Sequence, residues 1–248
     1  MKKAPKAYED IDFLNSREAR TIRIIAEYLE PEKRFIEHNV KHTVVFFGSA
    51  RVKPYKQDKF DTKKYYWAAE ELAFKLANWS KGLSDNGDSF KICTGGGPGI
   101  MEAANRGAKR ANSKTIGLNI SLPHEQEPNN YITPELNFEF HYFFMRKLWF
   151  IYYAKALICF PGGYGTLDEL FETLTLIQTH KLEKTYLPIL LYDKKFWEDL
   201  INFDKLVEMK LISPHDAKLF HFFDTPKEGM EYLKPRLENI IRNFHEPE

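Results

Sequence analysis

Two stretches of this sequence set several glycines between an apolar run and a segment of helical spacing. They are Thr94-Gly-Gly-Gly-Pro-Gly99 and Pro161-Gly-Gly-Tyr-Gly165. Glycine lets a backbone turn sharply and come close to a ligand. A helix that starts behind such a turn offers free N–H groups and a positive dipole end, which suits a phosphate. Gly96 and Gly97 are the candidates for ligand contact in the first turn. Arg146 and Lys147 are a second signal, because nearly every residue of Phe143-Phe-Met-Arg-Lys-Leu-Trp-Phe-Ile-Tyr-Tyr-Ala154 around them is apolar. A guanidinium buried in such a helix needs an anion and matches phosphate or carboxylate with two hydrogen bonds. The alternative is a pair of cations reaching the surface along their stems. Glu169 follows the second turn in Thr166-Leu-Asp-Glu. In a first helical turn its ionised form is favoured, which suits a base or an electrostatic stabiliser. The same T-x-x-E spacing is also a capping box, in which Glu169 would reach back to its own helix start.

These residues need elements to position them. Apolar runs at 43–47, 89–93, 115–120, 137–142, 156–160 and 187–191 read as buried strands. Helical spacing covers 63–79, 100–111, 143–154, 166–180, a stretch from 196 onwards, and 227–243. Strand, turn, helix and strand in repetition predict an α/β fold, a Rossmann-like doubly wound parallel sheet of six to seven strands with helices on both faces. In such a sheet both glycine turns lie on one edge, where ligands bind at the point of strand-order reversal. Gly48-Ser-Ala-Arg51 reaches the same edge, so Ser49 or Arg51 can meet a phosphate. Pro98 suits a place near the first position of its helix. Residues 1–40 read as an N-terminal helical extension in which Pro31 ends or kinks an amphipathic helix. Residues 41–248 read as a single nucleotide-binding domain with C-terminal helices.

Composition narrows the function classes. The 248 residues are 43% apolar and 29% charged, as in a globular protein, and the net charge of +1 gives no general pull towards nucleic acid or anionic membrane. Neither turn completes G-x-G-x-x-G, since Ile100 and Asp168 stand where the last glycine belongs, and no P-loop occurs. There is no C-x-x-C for zinc, and no G-x-S-x-G elbow. Cys93 and Cys159 sit in strand-like runs and read as small core residues. The basic start lacks an apolar segment behind it, and residues 142–163 are interrupted by Arg146, Lys147 and Lys155, so neither a secretory signal nor a membrane span is expected. The expected compartment is the cytoplasm.

Pro161-Gly-Gly-Tyr-Gly-Thr-Leu-Asp-Glu169 resembles the P-G-G-x-G-T-x-x-E signature of the LONELY GUY family. Met145-Arg-Lys147 resembles its companion motif, and Gly95 to Ala104 and Phe47 to Arg51 look like its other two loops. The resemblance covers residues 43–192. It implies hydrolysis of the N-glycosidic bond of a nucleoside 5′-monophosphate, AMP-like or a cytokinin riboside monophosphate, to free base and ribose 5-phosphate. Members were once labelled lysine decarboxylases, but neither a pyridoxal-phosphate site nor any other cofactor is expected here. The resemblance maps the essential arginine and glutamate onto Arg146 and Glu169. It maps phosphate- and ribose-contacting positions onto Lys147, Gly162, Gly163, Tyr164, Gly165, Thr166 and Thr175, with Asp168 in place of a frequent glutamate. It also implies a homodimer paired through helices near the site, with higher assembly left open. The rival expectations are a nucleotide-binding sensor or carrier without hydrolysis, and an interaction protein whose apolar 143–154 helix builds an oligomer.

Overall fold

The computed structural model describes residues 4–55, 57–83, 90–122, 127–182 and 187–243. In chain order its main elements are α1 (Ile11–Asn15), α2 (Arg20–Glu37), β1 (Thr43–Phe47), α3 (Lys63–Ser80), β2 (Lys91–Thr94), α4 (Ile100–Arg110), β3 (Thr115–Ile120), β4 (Asn137–Phe140), α5 (Phe143–Tyr152), β5 (Ala154–Cys159), α6 (Tyr164–Gln178), β6 (Ile189–Tyr192), α7 (Lys194–Leu200), α8 (Phe203–Glu208), β7 (Phe220–Phe223) and α9 (Pro226–Asn243). Ser89, expected to open the second strand, and residues 1–3 of the basic start lie outside the described residues.

The strands form one parallel sheet in the order β4-β3-β2-β1-β5-β6-β7. Alternate residues of β1 serve opposite layers. Val44 and Phe46 join Leu72 of α3, Ile100 of α4 and Leu233 of α9 in one core. Val45 and Phe47 join Phe35 of α2, Trp149 of α5, Leu170 of α6 and Trp197 of α7 in the other. Cover on both faces is why the central strands read as unbroken apolar runs rather than as alternating ones.

Two expectations are corrected, at Pro31 and after residue 196. Pro31 does not end α2, which runs on to Glu37. Its missing N–H frees the Glu27 carbonyl, which accepts the Trp149 indole N–H at 3.0 Å instead. Pro98 stands just before Gly99, the N-cap of α4, near the first helical position as expected. The segment after residue 196 is not helical throughout: it contains β7, an edge strand in which only Phe223 is buried, so it lacks the apolar run that marks the central strands.

From β1 the sheet grows to one side through β2, β3 and β4 and to the other through β5, β6 and β7. The reversal lies between β1 and β5, which puts the crevice between the loops that leave them. Those loops are joined: Ser49 N–H donates to the Pro161 carbonyl at 3.1 Å, and Phe160 N–H to the Phe47 carbonyl at 2.8 Å.

Candidate active site

The first glycine turn is held rigidly. Gly96 has φ +76° and Gly99 has φ +73°, conformations in which a side chain is strained. A Cβ on Gly96 would come within 2.1 Å of Asn119 Oδ1, and one on Gly99 within 2.3 Å of the Ser49 carbonyl oxygen. A buried polar network braces the loop from beneath. Gly96 N–H donates to Thr94 Oγ1 at 3.0 Å, and Thr94 Oγ1 donates to Asn105 Oδ1 at 2.7 Å. Asn129 reaches the Gly96 carbonyl through its backbone N–H at 2.8 Å, and through Nδ2 the carbonyls of Gly96 at 2.9 Å and Gly97 at 3.1 Å. Gly95 has a different task. A Cβ there would stand 3.3 Å from Arg146 Nη2, so its small size makes room for the guanidinium.

The second turn is held at one end and open at the other. A Cβ on Gly162 would meet Thr166 Oγ1 at 2.1 Å, whereas at Gly163 and Gly165 it would meet nothing within 4 Å. Gly163 is the N-cap of α6, with φ −93°. The Thr166 N–H is already engaged by the Gly163 carbonyl at 3.0 Å. Because α6 begins at Tyr164, Thr166 is its third residue and not its cap, and no side-chain capping bond forms. The capping-box expectation is thereby corrected: Glu169 sits in the second turn of the helix, 5% exposed, and does not reach back.

α5 and α6 carry the charged groups. Lys147 joins the two helices through Asp168 at 2.8 Å and Glu172 at 2.6 Å. These partners lie one helical turn apart on α6, with Glu169 beside them. Arg146 lies over the Phe150 ring at 5.1 Å, and its buried Nε has no hydrogen-bond partner. Burial lowers the pKa of Arg146 most, against the charges of Glu169, Cys93, Glu139 and Asp168. Burial likewise lifts the Glu169 carboxyl from 4.5 to about 7, against Lys147 and Arg146 and with help from Glu172 and Asp168. The expectation of a plainly ionised carboxylate is therefore corrected, because desolvation outweighs the helix end. A buried carboxyl near pH 7 can exchange a proton with a reacting group.

The structure brings Ser49, Gly96, Gly97, Arg146, Gly162, Gly163, Gly165, Thr166 and Glu169 to the carboxyl edge of the sheet. Ser49 Oγ accepts the Arg51 N–H at 3.1 Å, which leaves its own proton free to donate. Lys147 and Asp168 are there too, paired with each other. Tyr164 stands at the edge 93% exposed. Thr175 is apart. Its hydroxyl donates to the Phe171 carbonyl, and it lines a groove with Leu174, Phe203 and Phe220 further along α6. Asn105, Asn129 and Glu139 had no signal in spacing or motif.

The family model described as possible lysine decarboxylase matches residues 101–233, a span that takes in Arg146, Lys147 and Glu169. A probable cytokinin riboside 5′-monophosphate phosphoribohydrolase of Oryza sativa subsp. japonica is 27% identical over 213 residues, 83% of this chain and 76% of the relative. A pyrimidine/purine nucleotide 5′-monophosphate nucleosidase of Escherichia coli strain K12 is 33% identical over 117 residues, 43% of this chain and 25% of the relative. Among solved structures, the molybdenum cofactor binding protein of Rippkaea orientalis superposes with a TM-score of 0.52 at 18% identity, covering 80% of this chain and 99% of its own. At that identity the likeness is one of fold.

Proposed function

The chain belongs to the family described as possible lysine decarboxylase, whose LONELY GUY motifs it carries, and from that premise we propose that it hydrolyses the N-glycosidic bond of a nucleoside 5′-monophosphate. The observation that carries the reading is Glu169, buried beside Arg146 and next to a glycine turn whose Gly163 and Gly165 stand clear of any neighbour. The 5′-phosphate docks on the N–H groups of Gly163 and Gly165 and on the Ser49 hydroxyl. The C1′–N bond breaks with its electron pair leaving on the base, and positive charge builds on the ribose, as in glycoside hydrolysis. Glu169 takes a proton from the attacking water, whose oxygen bonds to C1′, and releases it to solvent, while the departing base takes one proton from solvent. The products are free base and ribose 5-phosphate. Arg146 orients Glu169 and offsets its repulsion from the phosphate.

The family's descriptive name implies pyridoxal phosphate held by a lysine imine. Lys147, which stands at the crevice, does not fit that group. Burial acts to lower the Lys147 pKa, but the hydrogen bonds to Asp168 and Glu172 outweigh it and raise the value. The amine is thus held as ammonium, the wrong state for imine formation.

Residues 41–248 form the nucleotide-binding domain and residues 1–40 its extension. A homodimer fits the half-exposed Phe143, Phe144, Leu148 and Tyr152, an apolar face of α5 beside the site. No helix among the described residues is long and apolar enough to cross a membrane, which is compatible with a cytoplasmic place of work. The test is incubation with AMP, other monophosphates and isopentenyladenosine monophosphate, reading base and ribose 5-phosphate by chromatography. Release is expected from the wild type, and a loss of roughly 10²- to 10⁴-fold in Glu169→Gln. Binding by thermal shift with no release from any monophosphate would make the protein a carrier or sensor instead.

A further inference from the structure

The helix that carries Arg146 lacks the usual means of fixing its own start. The N-cap of α5 is Tyr142, which makes no side-chain capping bond, and no acidic residue lies in the first turn. Arg146 and Lys147 instead add positive charge close to the positive end of the helix dipole, an unfavourable placement. The missing cap is imported from α2. Glu27 Oε1 accepts the His141 N–H at 2.8 Å, and Glu27 Oε2 accepts the Tyr142 N–H at 3.2 Å. A carboxylate here satisfies two donors and supplies the negative charge that the helix start requires.

The same residue grips α5 a second time through its main chain. The Glu27 carbonyl, released by Pro31, accepts the Trp149 indole N–H at 3.0 Å. Trp149 is fully buried, with Tyr28 at 5.4 Å and Phe35 at 5.5 Å between ring centres. The grips at Tyr142 and Trp149 are seven residues apart, about 10 Å along the helix. Two such points fix both the height and the rotation of α5, and Arg146 lies between them. The far end of α2 has its own tie to the sheet. Arg34 Nη1 donates to the carbonyls of Glu135 and Asn137 at 3.1 Å each, at the start of β4. The Arg146 side chain makes no hydrogen bond or ion pair among the described residues, and its buried Nε has no partner. Its guanidinium therefore takes its position from its helix.

We propose that Glu27 is a positioning residue that sets Arg146 against Glu169 by bracing α5 at two points. This deepens the proposed function and rests on its assignment of Arg146 and Glu169. The test compares full-length wild type, Glu27→Ala, Glu27→Gln and Trp149→Phe on a monophosphate that the wild type hydrolyses. Glu27→Ala is expected to lower kcat about tenfold or more, since small misplacements of catalytic groups are costly, while KM stays within about twofold because the phosphate loop is untouched. Glu27→Gln keeps one acceptor oxygen and should recover part of the loss. Trp149→Phe removes only the second grip and should give a smaller fall in kcat.

Amide hydrogen exchange supplies a readout that needs no activity. Exchange over residues 143–147 should quicken about tenfold or more in Glu27→Ala while α3 and α4 keep wild-type protection. A fall in melting temperature with unchanged kcat and unchanged exchange in α5 would overturn the brace and leave Glu27 a stabilising residue only. If the wild type hydrolyses no monophosphate, the proposed function fails and the exchange result alone decides the brace. If Glu27→Ala does not fold, Trp149→Phe decides it by the same two measurements.

Discussion

The two glycine turns share an edge of the sheet and similar sequences, yet glycine serves different ends in them. In the turn after β2, Gly96 and Gly99 are demanded by the fold itself, through positive φ and through neighbours 2.1 and 2.3 Å from a Cβ. In the turn after β5, Gly163 and Gly165 are demanded by no neighbour among the described residues. Glycine without a folding reason at a helix N-terminus points to a ligand that must come close. The first turn thus reads as a scaffold that shapes the crevice and makes room for Arg146, and the second as the surface that meets the phosphate.

The largest effects should separate the turns cleanly. Gly99→Ala forces a methyl into a backbone oxygen at a conformation that suits only glycine, which should cost roughly 3 kcal/mol or more. The melting temperature should fall by about 10 °C. Gly163→Ala should leave the melting temperature within about 3 °C of wild type while lowering kcat/KM about tenfold or more, since a methyl would push the phosphate off its donors. Scanning calorimetry and steady-state kinetics on both variants check this. A stable and active Gly99→Ala, or an unstable Gly163→Ala, would break the comparison.

The second prediction sharpens it through charge. Lifting the Glu169 carboxyl from 4.5 to about 7 means that the fold prefers its protonated form by about 3 kcal/mol. That preference is fully present at low pH. It is lost as pH rises from about 4.5 to about 7, because ionisation then proceeds against burial. Glu169→Gln removes the ionisation, so it should be more stable than wild type at pH 8 by up to about 3 kcal/mol, and by less than about 1 kcal/mol at pH 5. Urea titrations at the two pH values measure the difference. A variant less stable at pH 8 would mean that Glu169 holds the fold together rather than sitting strained at a site.

How far the sequence discloses these differences depends on where each cause lies. The runs at 43–47 and 115–120 coincide with β1 and β3 because burial on both faces leaves a continuous apolar record. The glycine turns and the charged pair on α5 were legible because strand, turn and helix follow one another along the chain. Glu169 was ambiguous for a local reason: a shift of three residues in the N-cap of α6, from Thr166 to Gly163, turns Thr166 from a cap into an interior residue. The Glu27 cap was not legible, since donor and acceptor stand 114 residues apart and the N-cap itself is a tyrosine. The Asn105–Asn129 network was hidden in the same way. Its amides are satisfied by strands and loops that only the fold brings together.

Asn129 gives the smallest effect and the finest test of the comparison. Its side chain serves the Gly96 and Gly97 carbonyls and Asn105 Oδ1. Asn129→Ala leaves those acceptors short of a partner, at a cost of about 1–3 kcal/mol, or roughly 2–10 °C in melting temperature. If the first turn is scaffold, kcat/KM at 25 °C should fall by less than about threefold, since the backbone N–H of Asn129 still holds the Gly96 carbonyl at 2.8 Å. A tenfold fall in kcat/KM with the melting temperature unchanged would show that the Gly96–Gly97 carbonyls, and the peptide planes they orient, act directly on the substrate. Both turns would then be binding surfaces, and the glycines at 96 and 99 would answer to the ligand as well as to the fold.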